Sequence, residues 1–126
     1  MRRIILCSLL AIAVNVYAQE VNTHAYYYIL SHPDENQQMV VDEQGETQFD
    51  VYIGTDSIVL SVIPKQVYMI EEVLSSTPYQ DGTLVTFKTY DQDQVGCKVS
   101  LLVLPDYKEI HFTYVNANHC FLLRDE

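Results

Sequence analysis

The 126-residue sequence predicts an all-β domain: an antiparallel meander of eight to nine strands curling into a small closed or partly open barrel, with a two-sheet β-sandwich as the alternative. Three observations carry this. Turn-forming clusters recur at short intervals, at 32–36 (HPDEN), 42–46 (DEQGE), 54–56, 64–65, 77–82 (TPYQDG), 91–96 (DQDQVG), 105–107 (PDY) and 116–118 (NAN). The runs between them are five to ten residues long and rich in Val, Ile, Tyr, Thr and Phe. Finally, folding those runs back at their turns sets apolar residues opposite apolar residues.

Taken in order, the chain opens with two arginines and an apolar run from Ile4 to Val14, followed by small residues at Val16 and Ala18. This is the pattern of a secretory signal peptide over 1–18, leaving 19–126 as a single all-β domain. The apolar run falls short of the ~20 residues that span a bilayer, and no later stretch qualifies, so no membrane insertion is expected of the mature form. Cys7 lies inside the run rather than at the cleavage point, so no lipid anchor is expected. The AYYYIL segment follows as the first strand. The IGTDSI turn places Ile53 opposite Ile58, Val51 opposite Leu60 and Phe49 opposite Val62, with Asp50 meeting Ser61 on the other face. In 65–75 Pro64 could open a helix with Ile70 and Leu74 on one side, but the Val, Tyr, Met, Ile run favours a strand. The PDY turn places Val103 opposite Ile110, Leu101 opposite Phe112 and Val99 opposite Tyr114; Thr89, Phe87 and Val85 then fall opposite Val99, Leu101 and Val103. The expected core is Phe49, Val51, Ile53, Ile58, Leu60, Val62, Phe87, Val99, Leu101, Ile110, Phe112 and Tyr114.

Charge narrows the partners. Loss of Arg2 and Arg3 with the signal peptide leaves 5 basic against 17 acidic side chains, a net charge of −12 with neutral histidines. So acidic a domain lacks the basic footprint that nucleic acid requires and is repelled by anionic membrane surfaces.

The strongest chemical constellation is Cys97, His111, His119 and Cys120. An exported compartment favours a Cys97–Cys120 disulfide. In a meander, however, the two cysteines sit on strands separated by a third, about 10 Å apart, beyond the ~7 Å reach of a bridge. Two separate thiols is the competing reading. Structural zinc usually takes ligand pairs close in sequence. The adjacent His119 and Cys120 point to opposite faces of a strand, and His111 lies on the other face of the sheet from Cys97, so no metal and no other cofactor is expected. Asp91 and Asp93 have a spacing seen in calcium loops but lack the later glutamate, and read as a polar turn. No nucleophile motif is present, and an enzyme is not expected.

Nine tyrosines remain in the mature chain and tryptophan is absent. Tyr26, Tyr28, Tyr52 and Tyr68 are the candidate ligand-contacting residues, since tyrosine offers an apolar face with a polar tip; the competing role is barrel packing. On the outer face of the last strands Leu84, Leu102 and Leu104 gather beside His111, a candidate protein-contact patch unless another segment covers them. The strand pattern and the VYAQE cleavage region resemble small calycin-like barrels and small secreted β-proteins of Gram-negative bacteria. The lipocalin-type Gly-x-Trp is missing, so no binding residue carries over. The first expectation is a non-catalytic periplasmic or secreted module that binds a small molecule or glycan in the barrel mouth or on tyrosines; the alternative is an interaction or inhibitor-like domain acting through a strand edge or the leucine patch.

Overall fold

In the computed structural model, which describes residues 20–125, the chain forms eight antiparallel strands and no helix. They are β1 (Val21–Pro33), β2 (Met39–Ile53), β3 (Ser57–Leu60), β4 (Gln66–Tyr79), β5 (Gly82–Tyr90), β6 (Gly96–Leu104), β7 (Tyr107–Tyr114) and β8 (Ala117–Arg124). Each pairs with the next, and β8 returns to β1, so the meander closes in a ring and the sandwich alternative falls. The expected signal peptide, 1–18, lies outside the described residues. Among those described, no helix is long and apolar enough to cross a membrane.

The ring is uneven. β3 touches β2 only across Val51–Ile53, and β4 only across Gln66–Met69. The first half of β2 and the second half of β4 therefore each pair on one side alone among the described residues. Such free edges invite further strands, and β4 carries familiar protection: Glu71, Glu72, Pro78 and two register breaks, after Ile70 and after Val73.

From Gln66 on, the region 65–75 is strand, as the Val-Tyr-Met-Ile run favoured. The DEQGE segment is not a turn but the middle of β2, which reduces nine possible strands to eight. The reason is local: Gly45 stands opposite Tyr28, whose ring lies 3.4 Å from where a Cβ would be, and the Tyr28 hydroxyl donates to Glu43 at 2.6 Å. An aromatic laid over a strand glycine supplies the packing that glycine lacks.

Two of the turns that do form share a chemistry. In both Asp34–Gln38 and Asp91–Val95 the aspartate N–H donates to the carbonyl four residues on, while its Oδ1 accepts from the second and fourth following N–H groups. Each is closed by a left-handed glutamine, Gln37 (φ 64°) or Gln94 (φ 66°). Asp91 is thus committed to its turn, in line with the polar-turn reading of DQDQVG.

The interior is filled by alternate residues. Val51, Ile53, Ile58, Leu60, Val85, Phe87, Val99, Leu101, Ile110 and Phe112 are buried, with Phe49, Val62 and Tyr114 packed partly against them. This contains the expected core and adds Ala25, Tyr68, Cys97 and Leu123. Two threonines also face inward and are satisfied, Thr23 donating to the Arg124 carbonyl at 2.7 Å and Thr89 to that of Cys97 at 2.8 Å. The pairings themselves need correction beyond the two core pairs nearest the IGTDSI turn. Val99, Leu101 and Val103 face Phe112, Ile110 and Lys108 on one side, and Phe87, Val85 and Thr83 on the other, two residues from the expected register. The PDY hairpin is tighter than assumed, Leu104 pairing directly with Tyr107. Phe49 does not pair with Val62, because β3 stops at Leu60.

Candidate functional site

Two places on the ring gather chemically useful side chains. The first is the end carrying the turns 34–38, 61–65, 91–95 and 115–116. There a recess of about 240 Å³ is lined by Gln66, Val67, Tyr68, Asp91, Gln92, Asp93, Tyr114 and His119. Tyr68, Tyr114 and His119 come from β4, β7 and β8, each near the end of its strand. Tyr68 stacks on the core through Phe112, ring centroids 4.4 Å apart, and Tyr114 lies 5.9 Å from the His119 ring. The Tyr114 hydroxyl donates to Asp91 Oδ2 at 3.0 Å. The floor is aromatic and the rim carries carboxylates and amides.

Electrostatics follow from burial. Desolvation raises the Tyr68 and Tyr114 phenols and lowers the His119 imidazolium, so all three are neutral donors or acceptors near neutral pH. Burial works to raise the Asp91 carboxyl, but donation from Val95 N–H, the Tyr114 hydroxyl and Asp93 N–H outweighs it and holds the carboxyl below its ordinary value. The mouth therefore presents one secured carboxylate among neutral aromatic groups.

Of the expected tyrosines only Tyr68 lines this recess. Tyr26 sits at the register break between Ala25 and Tyr27, its ring 4.7 Å from the Arg124 guanidinium. Tyr28 covers Gly45. Tyr52 lies over Gly54, where an added Cβ would meet its hydroxyl oxygen at 2.6 Å. The four do not form one site; three are occupied by their own neighbours. Tyr114 and His119 were missed as mouth residues because they share the inward parity of Phe112 and Phe121, a signal that becomes readable once the strand ends are known.

The second place is the outer face of β6, β7 and β8. The turn between β7 and β8 has two residues, with Tyr114 opposite Ala117, so Cys120 points outward and stands opposite His111. Cys97 points into the core, and the two cysteines are separate buried thiols; the possible Cys97–Cys120 disulfide is not formed. The sequence constellation divides as alternation requires, Cys97 and His119 inside, His111 and Cys120 outside. Glu109, two residues before His111, joins the outer pair: its Oε2 is 2.5 Å from His111 Nε2, and Cys120 Sγ is 3.6 Å from the same nitrogen. The Tyr107 hydroxyl donates to Glu109 Oε1. On the other ring nitrogen, Asn118 Nδ2 lies 3.1 Å from His111 Nδ1 and accepts at Oδ1 from Thr113 Oγ1 at 2.6 Å.

This is not the wiring of a cysteine nucleophile. In such a triad the base faces the thiol with one nitrogen and the carboxylate with the other. Here both crowd Nε2, and burial pushes the Cys120 thiol up to about 12, away from the reactive thiolate.

The leucine patch is present in outline. Leu84 stands directly opposite Leu102, and Leu102 opposite Glu109; Leu104 lies over Gly82, 2.7 Å from the position of an added Cβ. All three are half-buried, and His111 is in the next row, opposite Ser100. A broader groove of about 490 Å³ opens where Glu71, Leu74, Lys88, Lys98, Thr113 and Val115 meet; Glu71 already answers Lys88 at 3.7 Å, and most of its walls are exposed side chains.

No family model, curated protein or solved structure matches the chain, so the mouth and the outer cluster themselves supply the grounds for a functional assignment.

Proposed function

We propose that the chain is a non-catalytic module, exported to the periplasm or beyond, that holds a small polar ligand in the mouth formed by Tyr68, Asp91, Tyr114 and His119. The observation that supports this is the recess itself: aromatic faces from three strands beside a carboxylate fixed by its own turn. Because Phe87, Phe112 and their neighbours fill the interior, the ligand rests at the mouth rather than within the barrel. A recess of about 240 Å³ lies below the usual ~300–1,000 Å³ of small-molecule sites, which suits one ring rather than an extended chain. Aromatic faces stack on the apolar side of a sugar ring, and Asp91 and the neighbouring amides accept or donate to hydroxyls or an amine. Asp91 and Asp93 disfavour anions.

Titration of the isotope-labelled protein with a panel of neutral and amino monosaccharides, followed by NMR, tests this. The expected result is saturable shifts confined to Tyr68, Asp91, Tyr114 and His119, with affinity lowered roughly tenfold or more in His119→Gln, the loss of about one hydrogen bond or stacking contact. Shifts elsewhere, or none, would refute the mouth as the site.

A second reading, a protein-contact surface, is favoured by the direct pairing of Leu84 with Leu102 on the outer face. Replacing Leu102 and Leu104 with threonine is expected to leave the circular dichroism spectrum unchanged while reducing any self-association seen in sedimentation. Loss of the fold in that variant would show these leucines to be structural.

A further inference from the structure

The outer cluster has no part in the mouth, and its geometry is that of a metal site. Glu109 and His111 are two residues apart on β7, so both project outward on either side of the inward Ile110, and β8 brings Cys120 opposite His111. One ligand atom from each, a carboxylate oxygen, Nε2 and Sγ, lies within 4.8 Å of the other two. We infer that Glu109, His111 and Cys120 bind a single zinc-class divalent ion, with the fourth position open to water or to a donor from another molecule.

The distances support a tetrahedral ion. Zinc–sulfur and zinc–nitrogen bonds of about 2.3 and 2.0 Å, at a tetrahedral angle, put the two ligand atoms about 3.5 Å apart. Cys120 Sγ and His111 Nε2 stand 3.6 Å apart. The Glu109 oxygen, now at hydrogen-bond distance from Nε2, must withdraw by about 1 Å to share a tetrahedron. That is a small rotation of a flexible side chain, and the Tyr107 hydroxyl holds its other oxygen.

The surroundings fit as well. Metal binding at Nε2 requires the ring proton on Nδ1, and the Asn118 amide faces Nδ1. Exchanging the oxygen and nitrogen of that amide leaves every heavy atom in place. Oδ1 then accepts the Nδ1 proton, Nδ2 donates to Thr113, and the Nε2 lone pair is free for the ion; ligand histidines are commonly oriented this way. Leu102 and Leu122 stand opposite Glu109 on its two sides, and Ile29 opposite Cys120. Among the described residues no lysine or arginine forms an ion pair with Glu109; its partners are Tyr107 and His111. A half-buried carboxylate between leucines is a strong ligand for a dication, which would share it with the Tyr107 hydroxyl. A thiolate with an imidazole selects zinc over the hard ions calcium and magnesium. On binding, the Cys120 proton passes to solvent and the sulfur enters as thiolate.

The test uses the untagged protein, reduced and stripped with a chelator, titrated with Co²⁺ and then with Zn²⁺. The expected result is a thiolate-to-cobalt charge-transfer band together with the visible absorption of four-coordinate cobalt, saturating at one ion per chain and displaced by Zn²⁺. Cys120→Ser abolishes the charge-transfer band, while Cys97→Ala retains it. Should Cys120→Ser fail to fold, Asn118→Ala, which leaves all three ligands in place, is expected to keep the band and weaken binding about 10–100-fold. Absence of the band at saturating Co²⁺, its survival in folded Cys120→Ser, its loss in folded Cys97→Ala, or unchanged affinity in Asn118→Ala would overturn the inference.

Discussion

Phe112→Ala is expected to lower the folding free energy by about 3–5 kcal/mol, the range for deleting a fully buried phenylalanine. Phe112 is 0% exposed and links two parts of the ring, with Tyr68 4.4 Å away on β4 and Phe121 6.0 Å away on β8. Truncation therefore leaves a cavity bordered by strands that have no hairpin between them, and neither neighbour can close it without leaving its own contacts. Phe121, half-buried and packed edge-on to Phe49 at 5.3 Å, is the comparison: Phe121→Ala should cost distinctly less. Urea midpoints at constant slope measure both. Equal and small shifts would mean that Phe112 is not at the centre of the core.

Gly82→Ala should also destabilise the fold, by about 1–3 kcal/mol or more, as overpacking does. A Cβ there would lie 2.0 Å from the Val103 carbonyl oxygen and 2.7 Å from Leu104 Cδ2, so backbone must move at the start of β5. The effect should reach the outer leucine row, because Leu104 rests on this glycine. Gly96 is the control: a Cβ there meets nothing within 4 Å, and its φ is not positive. Gly96→Ala is expected to be neutral or to stabilise by about 0.4–1 kcal/mol through the unfolded chain. Thermal melts of the two variants side by side test the contrast, and a Gly82→Ala protein as stable as Gly96→Ala would contradict it.

Period-two patterning made the all-β class and the inward-facing set readable from sequence. Alternation assigns each residue to a face, and a register error of two residues leaves every side chain on its face. Thus Val99, Leu101, Ile110 and Phe112 were placed in the core although their partners were each two residues off. The IGTDSI hairpin was right in the pairs nearest its turn as well, Ile53 with Ile58 and Val51 with Leu60, since Gly54 and the short polar turn left little freedom in where the chain reverses. DEQGE misled because its turn-like composition is local, whereas the ring of Tyr28 that keeps Gly45 in a strand arrives from another strand.

The candidate sites belong to the tertiary structure. The mouth exists because ring closure, β8 returning to β1, turns Tyr68 on β4 and Tyr114 and His119 on the distant β7–β8 hairpin toward one interior. Alternation could say that they faced inward, but not that they met. The outer cluster needed a single fact that composition does not encode, the two-residue turn that sets Cys120 opposite His111 rather than in the core. By itself the sequence determined which face each residue takes, because that depends on the pleat of its own strand. Only the folded ring decided which residues touch, because contact depends on turn lengths and on the closure of strands far apart in the chain.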